Sequence, residues 1–121
     1  MNVVLWILQG LLAVAFAGAG VMKLTQPVDK LAKQMSWVPR FSVSTVRFVG
    51  AVELLGGIGL ILPWATGIAK VLTPLAAVGL AVTMVLAAVH HVQHKEAKQV
   101  PINVVLFALA AVVAIGRFAG L

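Results

Sequence analysis

Residues Val71–Val89 read VLTPLAAVGLAVTMVLAAV, a run without one charged side chain. A helix needs roughly 20 apolar residues to cross the hydrocarbon core of a bilayer. A water-soluble helix of that length keeps a polar face toward solvent, and this segment has none. Lipid is the solvent that fits, and a helix satisfies its own backbone there.

The same pattern recurs on both sides of this segment. Met1–Met22 carries no charge, Phe48–Pro63 carries only Glu53 and is entered at Val43, and Val100–Gly116 is uncharged. The chain therefore reads as a single membrane domain over residues 1–121, with spans at about 2–22, 45–63, 70–91 and 101–118. The expected fold is all-α: a transmembrane four-helix bundle with both termini on the same side. The alternation of a transmembrane β-barrel is missing, and Ala, Leu and Gly dominate. Composition agrees, with 62% hydrophobic and 10% charged residues and a mean hydropathy of +1.10.

The first span invites a signal-peptide reading, since Ala15-Phe16-Ala17 resembles a cleavage site. No Lys or Arg precedes the apolar run, and the run is long, so it is read as a retained helix. The absence of cysteine excludes disulfides, cysteine-held iron–sulfur clusters and a thiol redox centre within the chain.

The net charge is +6. The bases sit in short connectors, which points to anionic lipid headgroups and not to nucleic acid. The first connector holds Lys23, Lys30, Lys33 and Arg40, the third holds Lys95 and Lys98, and Arg47 stands at the helix boundary; Lys70 and Arg117 fall to the other side. The positive-inside rule then makes the basic connectors cytoplasmic and both termini extracytoplasmic, in a plasma (inner) membrane of bacterial type. Trp6 and Trp64 share the outer interface. In the first connector Val28, Leu31, Met35 and Val38 recur at helical spacing between lysines. That pattern fits a short surface helix anchored by Trp37, or an ordinary basic loop. Pro63 is expected to end the second span. Pro74 either kinks the third helix or marks its start, and Pro101 falls in the first turn of the fourth.

Charge inside a span is expensive and needs a reason. Glu53 lies six residues past Arg47, or ~9 Å deeper at 1.5 Å per residue. Lys23 closes the first span on that side, His90 and His91 close the third, and Asn103 opens the fourth. Each span thus sends a polar group to the cytoplasmic half. Gly50, Glu53, Gly56 and Gly57 share a helical arc, and small residues admit a neighbouring helix or leave room for a ligand. Gly79, Thr83 and Ala87 lead to the histidines on helix three; Ala13, Phe16, Ala17 and Gly20 lead to Lys23 on helix one. One reading is a ligand pocket built from Glu53, Lys23, Arg47, His90, Asn103 and Thr83. The other is a structural ion pair of Glu53 with Lys23 or Arg47.

His90 and His94 stand four residues apart, a spacing that puts two imidazoles on one face. Acidic partners are few, no His-Glu-x-x-His pattern occurs, and no metal is assigned. In the outer half Gln9 and Arg117 sit at similar depths, where Arg117 caps its helix, snorkels or bonds Gln9. Gly56-Gly57-x-Gly59 lies within an apolar span and is read as helix packing.

The pieces Phe16-x-x-x-Gly20-x-x-Lys23-Leu24, Arg47-x-x-Gly50-x-x-Glu53-x-x-Gly56, Leu72-Thr73-Pro74-Leu75-Ala76-Ala77-x-Gly79-Leu80, His90, Asn103 and Gly116-Arg117 together resemble the DoxX-like family of small four-span membrane proteins. The resemblance covers nearly the whole chain. It implies a redox-associated membrane subunit; no cofactor is fixed by it, and a quinone is the candidate. The lack of cysteine departs from some redox relatives and weakens a direct thiol role. Three functions follow as expectations. The first is a subunit or small enzyme binding an apolar molecule, a quinone or a lipid, near Glu53. The second is a non-enzymatic scaffold or assembly (chaperone) factor. The third, ranked last, is a transporter. Small-residue faces suit a homo-oligomer or a partner membrane subunit.

Overall fold

The computed structural model describes residues 1–34 and 38–120. Met35, Trp37 and the C-terminal Leu121 lie outside the described residues, and with Trp37 goes the expected interfacial anchor. Among the described residues the fold is helical throughout. The long helices are α1 (Asn2–Thr25), α3 (Val43–Thr66), α4 (Leu72–Gln93) and α5 (Val100–Phe118), with a short α2 (Val28–Gln34) in the first connector. Single 3₁₀ turns occupy Val38–Arg40 and Ala97–Gln99. All four long helices are long and apolar enough to cross a membrane.

The distribution of side chains is the reverse of a water-soluble bundle. Val14, Phe48, Leu55, Leu86 and Ile115 stand exposed on the outside. Gln9, Lys23, Glu53, Thr73, His91, Asn103 and Arg117 are buried. Soluble proteins expose charge and bury apolar surface; in lipid, the apolar exterior meets the solvent and polar groups turn inward.

The helices pack as two close pairs, α1 with α3 and α4 with α5. Between the pairs, α3 lies against α4 and, less extensively, α1 against α5. A core of Leu12, Phe16, Leu60, Ala77, Leu80, Met84, Ala110 and Val113 runs through the middle. Glycine sets the spacing within the first pair. A Cβ on Gly20 would stand 2.5 Å from the Gly50 carbonyl oxygen and 2.6 Å from the Leu54 nitrogen, so the two backbones touch. A Cβ on Gly57 would meet Ala13 and Ala17 of α1 in the same way. Gly56 and Gly59 face the other neighbour, against Leu80 and Ala76 of α4. The glycine arc of α3 thus serves two helices.

Helix ends follow their local chemistry. Ser42 caps α3, its hydroxyl accepting from the Thr45 N–H at 3.2 Å. Gly67 closes α3 with φ +74°, a left-handed cap that glycine adopts without strain. Pro74 falls in the first turn of α4, where no intrahelical donor is required; it marks the start and not a kink. Pro101 opens α5 as expected. Pro63 does not end its helix: α3 continues to Thr66. Proline removes the hydrogen bond to the carbonyl four residues back, which here is Gly59, and the Thr73 hydroxyl of α4 donates to that carbonyl instead. The short α2 does form, and Leu31, Val38 and Val46 are fully buried with Met22, Val28 and Ala32 around them. Its apolar face therefore docks on the ends of α1 and α3.

Candidate functional site

At one end of the bundle Arg117 gathers three helices. Its Nε donates to Gln9 Oε1 at 2.7 Å and its Nη1 to Asn2 Oδ1 at 2.9 Å. Gln9 in turn donates to the Leu60 carbonyl of α3. The guanidinium lies over the Trp64 ring at 4.6 Å and the Trp6 ring at 5.4 Å, and Lys70 lies over Trp64 at 4.4 Å. Cations on indole faces are held by the ring quadrupole. The start of α1 and the end of α5 therefore meet at this end. These contacts join α1, α3 and α5, which suits a structural clamp.

The polar residues at the opposite end divide into three sets. Lys23 of α1 pairs with Glu53 of α3, both buried. Arg47 donates to the carbonyls of Lys23 at 2.6 Å and Gln26 at 2.8 Å. A cation on the last carbonyls of a helix meets the negative end of its dipole. Lys23, Glu53 and Arg47 thus tie α3 to the end of α1. Asn103 of α5 is buried and donates to the Met84 sulfur of α4 at 3.7 Å.

The third set was missed by sequence reasoning in its most important members. Arg40 Nη1 donates to Glu96 Oε1 at 2.7 Å and to His90 Nε2 at 3.1 Å. His91 Nδ1 lies 3.2 Å from the same Glu96 oxygen. His94 Nδ1 donates to the His90 carbonyl at 2.9 Å, and the His90 and His94 rings are 4.2 Å apart. The first and third connectors are joined by these contacts. Arg40 and Glu96 are 56 residues apart in the sequence, and neither sits in an apolar span, so no local signal links them. Among the described residues, no group of three His, Asp or Glu side chains converges as a metal site.

Beside this cluster runs a groove of about 260 Å³ between α3 and α4. Thr45, Phe48, Val49 and Val52 form one wall, Thr83, Leu86 and Ala87 the other, and Phe41, His90 and His91 close the end. Phe48 and Leu86 are exposed on the outer surface, so the groove opens to the surrounding lipid. Of the residues expected at a site, Thr83 and His90 line it. Glu53 and Lys23 face each other across the α1–α3 contact, Arg47 covers the end of α1, and Asn103 backs onto Met84; none of these four lines the groove. A second depression of about 340 Å³ lies between α4 and α5, lined by Val78, Val85, Phe107, Ile115 and other apolar residues alone. Ligand sites combine apolar walls with a few convergent polar groups, and of these two grooves among the described residues the first does so.

A family model described as the DoxX-like family matches residues 7–113. The comparisons with curated proteins and with solved structures returned no match.

Proposed function

The chain belongs to the DoxX-like family, and from that premise we propose that it binds a small apolar molecule with a polar head, a quinone or a lipid, in the groove between α3 and α4. One observation carries the reading: the groove has apolar walls and ends on His90 and His91. Its 260 Å³ falls just under the ~300–1,000 Å³ usual for drug-sized ligands. It therefore suits a ring or a headgroup with its tail left in lipid. The redox association implied by the resemblance makes a quinone the first ligand to test, with the protein as a membrane subunit alongside others or in an oligomer. In this reading Lys23, Glu53 and Arg47 hold α3 against α1 and so fix the wall that α3 turns to α4. The basic connectors, and with them the closed end of the groove, face the cytoplasm by the positive-inside rule, with the termini outside the plasma membrane.

Native mass spectrometry of protein purified in mild detergent tests this. Ala87→Trp fills the groove from a half-buried wall position. The expected result is a specific apolar molecule on the wild type that is absent from Ala87→Trp, with thermal stability unchanged. Equal occupancy in the two proteins would overturn the reading.

A further inference from the structure

The ring of His90 is set in one tautomer by its neighbour. A guanidinium has donors and no acceptor. Arg40 Nη1 carries two hydrogens; one goes to Glu96 Oε1 at 2.7 Å and the other to His90 Nε2 at 3.1 Å. His90 Nε2 must therefore accept, and the ring proton resides on Nδ1. No described residue accepts from that Nδ1. His91 does not compete for it, because its own Nδ1 faces Glu96. Among the described residues the Nδ1 donor of this imidazole is uncommitted, and it belongs to a residue that lines the groove.

Resting on the proposed groove, we infer that the ligand's polar head is a neutral carbonyl that accepts from His90 Nδ1–H. Arg40, held by Glu96, is the positioning residue that keeps the proton there. A carbonyl needs one donor and brings none of its own. A carboxylate is a poor fit, since burying charge among apolar walls is costly without a paired cation, and the Arg40 charge is already met by Glu96.

Two measurements test this. The first is nitrogen-15 NMR of histidine-labelled protein in nanodiscs, with His90 assigned by His91→Gln and His94→Gln. It should show His90 protonated on Nδ1 in the wild type and in Arg40→Lys, and a shift toward Nε2 in Arg40→Ala. An Nε2-protonated His90 in the wild type overturns the inference. The second compares binding of a methyl ketone, an alkane and a carboxylate of equal chain length. The ketone should bind about fivefold tighter than the alkane, as one neutral hydrogen bond provides. His90→Asn, which keeps an N–H near the Nδ1 position, should retain the advantage. His90→Gln, His90→Leu and Arg40→Ala should lose it. Ketone and alkane binding equally, with both abolished by Ala87→Trp, leaves the groove and overturns the carbonyl. The carboxylate binding tightest overturns it in favour of an anion site. Probe binding indifferent to Ala87→Trp overturns the groove reading itself.

Discussion

The Thr73 hydroxyl donates at 2.9 Å to the carbonyl of Gly59, the acceptor that Pro63 deprives of its helical donor. Thr73 is fully buried, so no lipid or water group can substitute for it. Thr73→Val should cost about 1–3 kcal/mol, the penalty for a buried polar group left unmet, and Thr73→Ser little. Pro63→Ala restores the backbone donor to Gly59. The effect of Thr73→Val should therefore shrink in the Pro63→Ala background, a coupling that a double-mutant cycle of unfolding in detergent measures directly.

Gly20 and Gly18 should respond oppositely to alanine. The Gly20 position has backbone atoms of α3 within 3 Å of a new methyl, while Gly18 has nothing within 4 Å. Gly20→Ala is expected to push α1 from α3 and destabilise by about 1–3 kcal/mol. Gly18→Ala should be neutral or stabilise by about 0.5–1 kcal/mol through helix propensity. Thermal melts of the two variants side by side provide the check.

Removing one member of the Lys23–Glu53 pair takes from the other, still buried, its opposite charge in that pair. Glu53→Gln is expected to destabilise by about 3–5 kcal/mol. The double replacement Lys23→Met with Glu53→Leu should be milder than either single change, since no charge is left behind. A double variant as unstable as the worse single would show that the pair contributes more than mutual neutralisation.

Arg117 uses its fork: Nε and Nη1 reach two side chains of α1, Gln9 and Asn2, while the guanidinium lies over the Trp64 ring of α3. Lysine supplies a point charge without that geometry. Arg117→Lys should lose about 1.5–3 kcal/mol and alter tryptophan emission. The emission change should disappear when Trp6 and Trp64 are both replaced by Phe.

The native chain has no cysteine, so single cysteines report topology without background. Lys33→Cys and Lys98→Cys should react with an impermeant maleimide only from the cytoplasmic side, and Gly67→Cys only from the outside. The opposite pattern would invert the orientation given by the positive-inside rule.

The spans were legible because an apolar run with no polar face has one stable environment. The Gln9–Arg117 contact was legible as one of three readings for Arg117, and the structure shows that one, since two polar residues at one depth in lipid have few other partners. Pro63 misled because the rule for proline considers its own helix, whereas the acceptor it leaves is met by Thr73 from the next one. Helical periodicity put Gly50, Glu53, Gly56 and Gly57 on a common arc. It could not say that the arc divides between α1 and α4, because that depends on where neighbouring helices lie. Arg40 and Glu96 were opaque for the same reason: two connectors meet only after the bundle has formed.

The pairing of α1 with α3 and of α4 with α5 bears on how the bundle is made. Chains emerge from the ribosome N-terminus first, and membrane helices insert before they associate. The glycine contact and the Lys23–Glu53 bridge lie wholly within the earlier pair, so they can form before the later pair is synthesised. The contacts that stitch one pair to the other, Thr73 to Gly59 and Arg117 to Gln9 and Asn2, involve residues translated later. The contact pattern thus suits a docking of two preformed hairpins, in which the Arg117 clasp would be among the last fastenings to close.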